Sequence, residues 1–284
     1  HVTVAVPNYN YADCLPKRLE SIYGQTYRNF DVLLLDDCST DDSRQVLESW
    51  QKRYPERTQL LFNEKNSGGV FRQWRKGIQA AKGDIVWIAE ADDWCEKDYL
   101  EQMLPAFDHA DVKLVSAQYG FYNEEELIPD GYENYVAQVD AQRWNRSFTQ
   151  EAAVETADAM GIINTVPNVS GCLFRNPAGM ALLDDPQWLQ MRICGDWVFY
   201  LQVMQGGSFA YQRQAHSCFR FHAGGKSAGA STYGKPEYYK EHAVVAQTAI
   251  NLYGIPDYTL TKMYQLLKEF HNQNMHGGEK QLKE

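Results

Sequence analysis

Short apolar runs alternate with longer amphipathic stretches through the first 120 residues of this 284-residue chain, and no other feature restricts the fold as much. Val2 to Val6 has the composition of a buried strand, closed by Pro7-Asn8-Tyr9-Asn10. Cys14 to Tyr23 then carries Leu15, Leu19 and Ile22 at helical spacing, with Asp13 placed to cap it. A second strand is expected from Phe30 to Leu35 and a helix opening at Ser39-Thr40-Asp41-Asp42. A third strand follows from Thr58 to Phe62, then a helix from Val70 to Ala81 and a fourth strand from Ile85. Strands separated by helices of this length need crossover connections, so the expected core is a parallel sheet with helices on its faces.

Beyond residue 120 the pattern weakens. Val112 to Tyr119 is expected as a further strand, and Asn123 to Ser147, polar and aromatic without periodicity, as an inserted surface segment. Thr149 is placed to cap a helix through Ile163. Residues 168 to 222 hold shorter apolar runs broken by Gly and Pro, and two helices are expected at Tyr238 to Leu252 and Thr259 to Asn272. A net charge of −10 and a pI near 5.2 argue against nucleic acid as a partner. No apolar run is long enough to span a bilayer and no signal peptide is visible. The chain starts at His1-Val2 and is expected to be trimmed from a longer, multidomain protein. Six scattered cysteines without a Cys-x-x-Cys pair suit neither a zinc site nor a small disulfide scaffold, and reduced thiols in the cytoplasm are expected. Asn168-Val169-Ser170 matches a glycosylation acceptor, a triplet common by chance.

Chemistry collects where strands end. Glu90, Asp92 and Asp93 directly follow the apolar run Ile85 to Ala89, at its carboxyl end, where open α/β sheets bind ligands. Adjacent carboxylates repel and are costly to desolvate unless a cation compensates them. A solvated acidic turn is the plainer reading. Asp36-Asp37 ends the second strand on the same rim, where it can accept from a ribose hydroxyl or a pyrimidine N–H, or simply form an Asx-turn. Gly68-Gly69 lets backbone approach a ligand closely, and Arg72 on the next helix can offset phosphate charge. Asp196 stands just before the apolar helix Val198 to Met204, so it is either a helix cap or a base at a partly dry pocket edge. His222 ends a short alternating strand.

In this order these residues resemble the inverting glycosyltransferases of family 2, which have the GT-A fold. The carriers are Val4-Ala5-Val6-Pro7-Asn8-Tyr9-Asn10, Leu35-Asp36-Asp37-Cys38-Ser39-Thr40-Asp41-Asp42-Ser43, Asn66-Ser67-Gly68-Gly69, Lys76-Gly77-Ile78 to Ala81-Lys82-Gly83-Asp84, and Ala89-Glu90-Ala91-Asp92-Asp93. The likeness is close over residues 2–120 and loose over 165–225. It implies a GT-A domain over residues 1–225, with a nucleotide-binding half (1–120) and an acceptor half (121–225), followed by a helical extension over 226–284. It also implies that Pro7 and Tyr9 lie by the nucleoside and that Asp37 holds the base. Glu90-Ala91-Asp92-Asp93 stands in the place of the family's Asp-x-Asp motif, with Asp93 as direct ligand of Mn²⁺ or Mg²⁺ and His222 completing that site. Glu90 replaces the usual first Asp, which leaves ribose or metal as its contact. Asp196 matches the catalytic base, with Gly195 where the family often has Glu.

The implied reaction moves a sugar from a UDP- or dTDP-sugar to a hydroxyl of a glycan or lipid-linked acceptor, in bacterial surface-polysaccharide assembly at the inner face of the cell membrane. A non-catalytic sugar-binding module on the same fold would lack turnover, and the presence of Asp37, Asp93 and Asp196 weighs against it. A sugar-1-phosphate nucleotidyltransferase would carry a Gly- and Arg-rich loop after the first strand, where Pro7-Asn8-Tyr9-Asn10 stands. A dehydrogenase would carry Gly-x-Gly-x-x-Gly there.

Overall fold

The computed structural model describes residues 1–221 and 235–274. In its first half, β1 (Val2–Asn8), α1 (Leu15–Tyr23), β2 (Phe30–Asp36), α2 (Ser43–Arg53), β3 (Thr58–Phe62), α3 (Val70–Ala80) and β4 (Ile85–Ile88) alternate as the hydrophobic pattern requires. Every residue of β1 is buried, the signature of a central strand covered on both faces. β1 pairs in parallel with β2 on one side and with β4 on the other, and β2 pairs in parallel with β3. Chain order therefore reverses at β1, which opens a crevice between the carboxyl ends of β1 and β4.

The second half is built differently. It contains β5 (Trp94–Cys95), α4 (Tyr99–Met103), β6 (Val112–Asn123), β7 (Glu126–Leu127), α5 (Gly131–Val136), β8 (Phe148–Glu151), α6 (Ala152–Glu155), β9 (Cys172–Arg175), α7 (Gly195–Val203) and β10 (Ser208–Phe221). β9 is the antiparallel bridge between β4 and β6, and β10 runs parallel to β6 while pairing antiparallel with β5 and β8. The sheet is thus mixed; its long ladders are parallel, and it runs β3-β2-β1-β4-β9-β6-β10-β5. One apolar layer packs α1 and α4 on one face through Leu15, Leu19, Trp87 and Tyr99. The other packs α3 and α7 on the opposite face through Trp74, Phe174, Trp188 and Phe199.

Several expectations are corrected here. Residues 123–147 are not a mere surface insertion: Tyr132, Val136 and Trp144 are buried in the core, where Tyr132 meets the rings of Tyr119 and Phe121 and Trp144 that of Tyr211 at tilted or edge-on angles. Thr149 caps no helix, since Phe148–Glu151 is an edge strand on β10, followed by one short helical turn and a π turn at Thr156–Met160. The last strand is long, not short. Asp13 does not cap α1, whose cap position is Cys14 with no side-chain hydrogen bond. All six cysteines are free thiols. In the Asn168 triplet, Ser170 is fully buried and Asn168 half-buried. After residue 235, α8 (Pro236–Tyr253) and α9 (Asp257–Asn274) form the two expected helices. They attach to the second half through the Tyr253 hydroxyl on the Leu201 carbonyl (2.6 Å) and the Thr259 hydroxyl on the Ala157 carbonyl (2.6 Å). Among the described residues no helix is long and apolar enough to cross a membrane.

Candidate functional site

The rim of the crevice is held by a polar network that starts at the strand ends. Asp36 accepts from the Asn8 side chain (3.0 Å), the Ser39 N–H (3.0 Å) and Arg44 Nε (2.7 Å). Burial alone would raise its pKa, but these donors outweigh it and hold the carboxyl below its usual value. Asp37 takes the loop that follows β3: it accepts from Asn63 (2.7 Å), from the Ser67 N–H (2.8 Å) and from the Ser67 hydroxyl (2.7 Å). That anchoring leaves Gly68 at φ +82° on an open loop next to α3, a conformation that favours glycine. Pro7 is buried within β1, whereas Tyr9 is 45% exposed beside it. Asn10 and Cys38 adopt left-handed backbone at the ends of the same two strands, strain of the kind that gathers at binding sites. Arg72 is exposed on the first turn of α3.

Across the crevice, the three acids after β4 are unequal. Glu90 accepts from the Trp74 indole (2.7 Å); burial pushes its carboxyl up to about 8, with Asp92 and Asp93 adding to the rise. Asp93 is 1% exposed and turned inward, accepting from the Ser170 hydroxyl (2.5 Å) and the Arg220 N–H (3.1 Å). Burial, then the Asp92 charge, pushes it up to about 7. Asp92 and Glu90 are only half-buried, so both have more access to the crevice than Asp93. Tyr11, on the β1 side, faces this group: burial first, then Asp92 and Glu90, raise its phenol. Buried Arg18 lies beneath, 4.8 Å from the Trp87 ring, and its charge lowers both Glu90 and Asp93 against their burial.

Asp196 enters from α7, in its first turn. Its carboxylate accepts from the Trp197 N–H (2.7 Å) and the Asn164 amide (3.0 Å). Burial pushes it up to about 7, and those two hydrogen bonds only partly oppose the rise. Trp74, which bonds Glu90, packs edge-on against Phe199 of α7 (5.7 Å), so the helix that carries Asp196 lies beside the partner of Glu90. Gly195 has a physical reason: a Cβ there would stand 2.3 Å from the Phe71 ring, which packs α3 onto the start of α7. His222 lies outside the described residues.

A cation fits the acid group by chemistry rather than by enclosure. Among the described residues no cluster of three or more His, Cys, Asp or Glu side chains could hold a metal ion unaided. Yet Asp92 and Asp93 both raise Glu90, and Asp92 raises Asp93, a crowding of negative charge that a cation would relieve. Mg²⁺ and Mn²⁺ ordinarily take one or two carboxylates and complete their shell with water and substrate phosphate.

Sequence reasoning passes over Ser170, Trp74, Asn164, Tyr11 and Arg18. Ser170 joins Glu90 and Asp93, receiving the Glu90 N–H (3.0 Å) while donating to Asp93. Its only signal is its place in a motif of another meaning.

The family model for glycosyl transferase family 2 matches residues 3–164. The chain belongs to that family. Glycosyltransferase GlyG of Streptococcus pneumoniae serotype 4 is 31% identical over 125 residues, which is 44% of this chain and 41% of that protein. The match therefore spans about two fifths of that curated relative. Among solved structures, Staphylococcus aureus TarS 1–349 in complex with UDP-GlcNAc superposes with a TM-score of 0.63 at 20% identity, covering 96% of this chain and 72% of that one. The mannosyltransferase PcManGT from Pyrobaculum calidifontis, in complex with GDP-Man and Mn²⁺, gives 0.57 at 18% identity over 96% of this chain and 82% of that one. These likenesses establish the GT-A-like fold.

Proposed function

We propose that this family 2 glycosyl transferase is a metal-dependent, inverting enzyme that moves a sugar from a UDP- or dTDP-sugar to a hydroxyl of a glycan or lipid-linked acceptor. The observation that carries this reading is Asp196, held by the Trp197 N–H and the Asn164 amide on the helix that packs against Trp74, the partner of Glu90, with burial pushing its carboxyl up to about 7. A general base works best when its pKa lies near the operating pH. The nucleoside end of the donor is assigned to Pro7, Tyr9 and the Asp37-anchored loop, with Gly68 and Arg72 nearest its phosphates. Glu90, held by Trp74, is assigned to the ribose or sugar side. Asp92, rather than the inward-turned Asp93, is assigned to the cation. A bound Mn²⁺ or Mg²⁺ would supply Lewis-acid stabilisation of the departing nucleoside diphosphate. Asp196 takes the proton of the acceptor hydroxyl as that oxygen attacks the anomeric carbon, while Asn164 holds the carboxylate toward it. One displacement with one base inverts the anomeric centre. Residues 1–225 are proposed as the transferase domain, with α8 and α9 as an extension on its acceptor half.

The test is a panel of UDP- and dTDP-sugars assayed with Mn²⁺ or Mg²⁺, for wild type and Asp196→Asn. Wild type should turn over a member of the panel in a chelator-sensitive way. The variant should lose at least about 10²-fold in turnover, the lower end of general-base assistance. Its affinity for the free nucleotide should stay within a few fold by calorimetry. Wild-type turnover in the variant removes the base assignment, and no turnover in wild type favours a binding module.

A further inference from the structure

The turn that delivers Asp196 is held not only by its own half, where Trp188 donates its indole N–H to the Gly195 carbonyl (2.8 Å). Arg192, Ile193 and Cys194 immediately precede α7, and their three backbone N–H groups converge on one carboxylate from a distant segment. Glu241 of α8 accepts from Arg192 N (2.8 Å) on Oε1, and from Ile193 N (2.9 Å) and Cys194 N (2.8 Å) on Oε2. Successive N–H groups of this kind form an anion-binding concavity, and the positive end of α7 adds to its attraction. Among the described residues Glu241 has no ion pair with Lys or Arg. Its charge is spent on backbone groups, one helical turn before the acid assigned as base. Val245 and Ala249 on the same helix are fully buried, so apolar packing also docks α8.

We propose that Glu241 is a positioning residue for transfer: it fixes the Arg192–Cys194 turn and thereby the direction in which Asp196 presents its carboxylate to the acceptor hydroxyl. This rests on the reading of Asp196 as the base. Electrostatics supply an independent handle. The negative charge of Glu241 contributes to the raised Asp196 carboxyl, after burial. Among the described residues, the other titratable groups that interact with Asp196 or line its turn are held toward their neutral forms. Burial raises the Cys172 thiol on β9, the Cys194 thiol in the turn and the Tyr200 phenol on α7. Burial also lowers His242 on α8, which touches Cys194 Sγ at 3.4 Å. Exposed Arg192 is the cation of the turn itself.

The experiment compares wild type, Glu241→Gln, Glu241→Asp and Asp196→Asn. Carboxyl ¹³C NMR titration follows the Asp196 midpoint, identified by its loss in Asp196→Asn. Turnover is measured with the panel sugar that wild type uses fastest, with water as acceptor. Glu241→Gln should lower kcat by about 10- to 10²-fold, the scale expected of a small misplacement, while donor KM stays within a few fold. Its Asp196 midpoint should fall below the wild-type value, because a neighbouring negative charge is gone. Glu241→Asp keeps the charge but is too short to reach all three N–H groups, so kcat should fall with the midpoint close to wild type. A purely structural contact would change melting temperature and leave kcat alone. Wild-type kcat in both Glu241 variants, with Asp196→Asn inactive, overturns the proposal and leaves the base assignment standing. An active Asp196→Asn overturns the base assignment whatever the Glu241 variants do. Should Glu241→Gln melt below the assay temperature, the split between kcat and midpoint in Glu241→Asp decides alone.

Discussion

The rim proposed to hold the donor and the turn that carries Asp196, the proposed base, are both acidic, yet they are assembled in opposite ways. On the donor rim each functional side chain follows directly from a strand end: Asp36 and Asp37 from β2, Tyr9 and Asn10 from β1, Glu90 to Asp93 from β4. Parallel pairing with β1 at the centre brings them level, since the Asp37 N–H reaches the Asn8 carbonyl (2.9 Å) and the Ala89 N–H reaches that of Ala5 (2.8 Å). At the base, three distant segments meet: Asn164 after the π turn, Arg192 to Trp197, and Glu241 from α8. The sheet itself fixes the first region. Side-chain contacts between loops and helices fix the second, and such contacts are the ones single substitutions disturb most.

The largest effect separating the regions is expected at Asp92. Asp92→Asn should reduce metal-dependent UDP or dTDP affinity by at least about 10²-fold, because loss of a mere supporting group near a metal already costs about 10–100-fold. Asp93→Asn should keep the metal dependence, since its carboxylate is spent on Ser170 and Arg220. Calorimetry with and without chelator measures both. The reverse outcome would restore Asp93 as the direct ligand. A second effect belongs to the base side. Gly195→Ala places a methyl 2.3 Å from the Phe71 ring, and Phe71 cannot yield because Trp74 and Trp188 stand against it at 5.0 and 5.2 Å. Overpacking of this kind costs about 1–3 kcal/mol. Denaturant unfolding should show that loss with donor affinity retained, and an unchanged midpoint would mean that α3 and α7 are less tightly seated than the contact implies.

The same contrast separates what is legible in the sequence from what is not. Strands β1 to β4 and their helices follow from local apolar period, so the parallel half and its rim acids can be read from the order of residues alone. Residues 123–163 escape such a reading because Tyr132, Val136 and Trp144 reach the core without a regular period, and no local pattern announces burial by tertiary contact. The inward turn of Asp93 cannot be inferred either. It depends on Ser170 and Arg220, which lie 77 and 127 residues further along the chain. Glu241 carries no signal at all, since a single Glu in an amphipathic helix is ordinarily a solvated one.

The last effect is one of stability, and it probes the turn that carries Asp196 alone. The folded pKa of Asp196 is raised from 3.8 to about 7. A group raised in this way favours the folded state while protonated, that is below its unfolded pKa, and that contribution disappears as pH climbs through the folded value. Between roughly pH 4 and 7, then, wild type should lose stability that Asp196→Asn does not lose, because an amide never ionises. Glu90 and Asp93 titrate in the same range in both proteins, so the difference between them isolates Asp196. The amide must turn its oxygen to one of two donors, Trp197 N–H or Asn164, which offsets part of the gain at every pH without altering its slope. Melting temperatures of both proteins at pH 5 and pH 8 measure it. The variant's advantage should be greater at pH 8, with about 2–4 °C for each kcal/mol in a domain of this size. Equal differences at the two pH values would mean that Asp196 ionises as freely as an exposed aspartate. The burial that makes it a suitable base would then be absent, and the two regions would no longer differ in the way described.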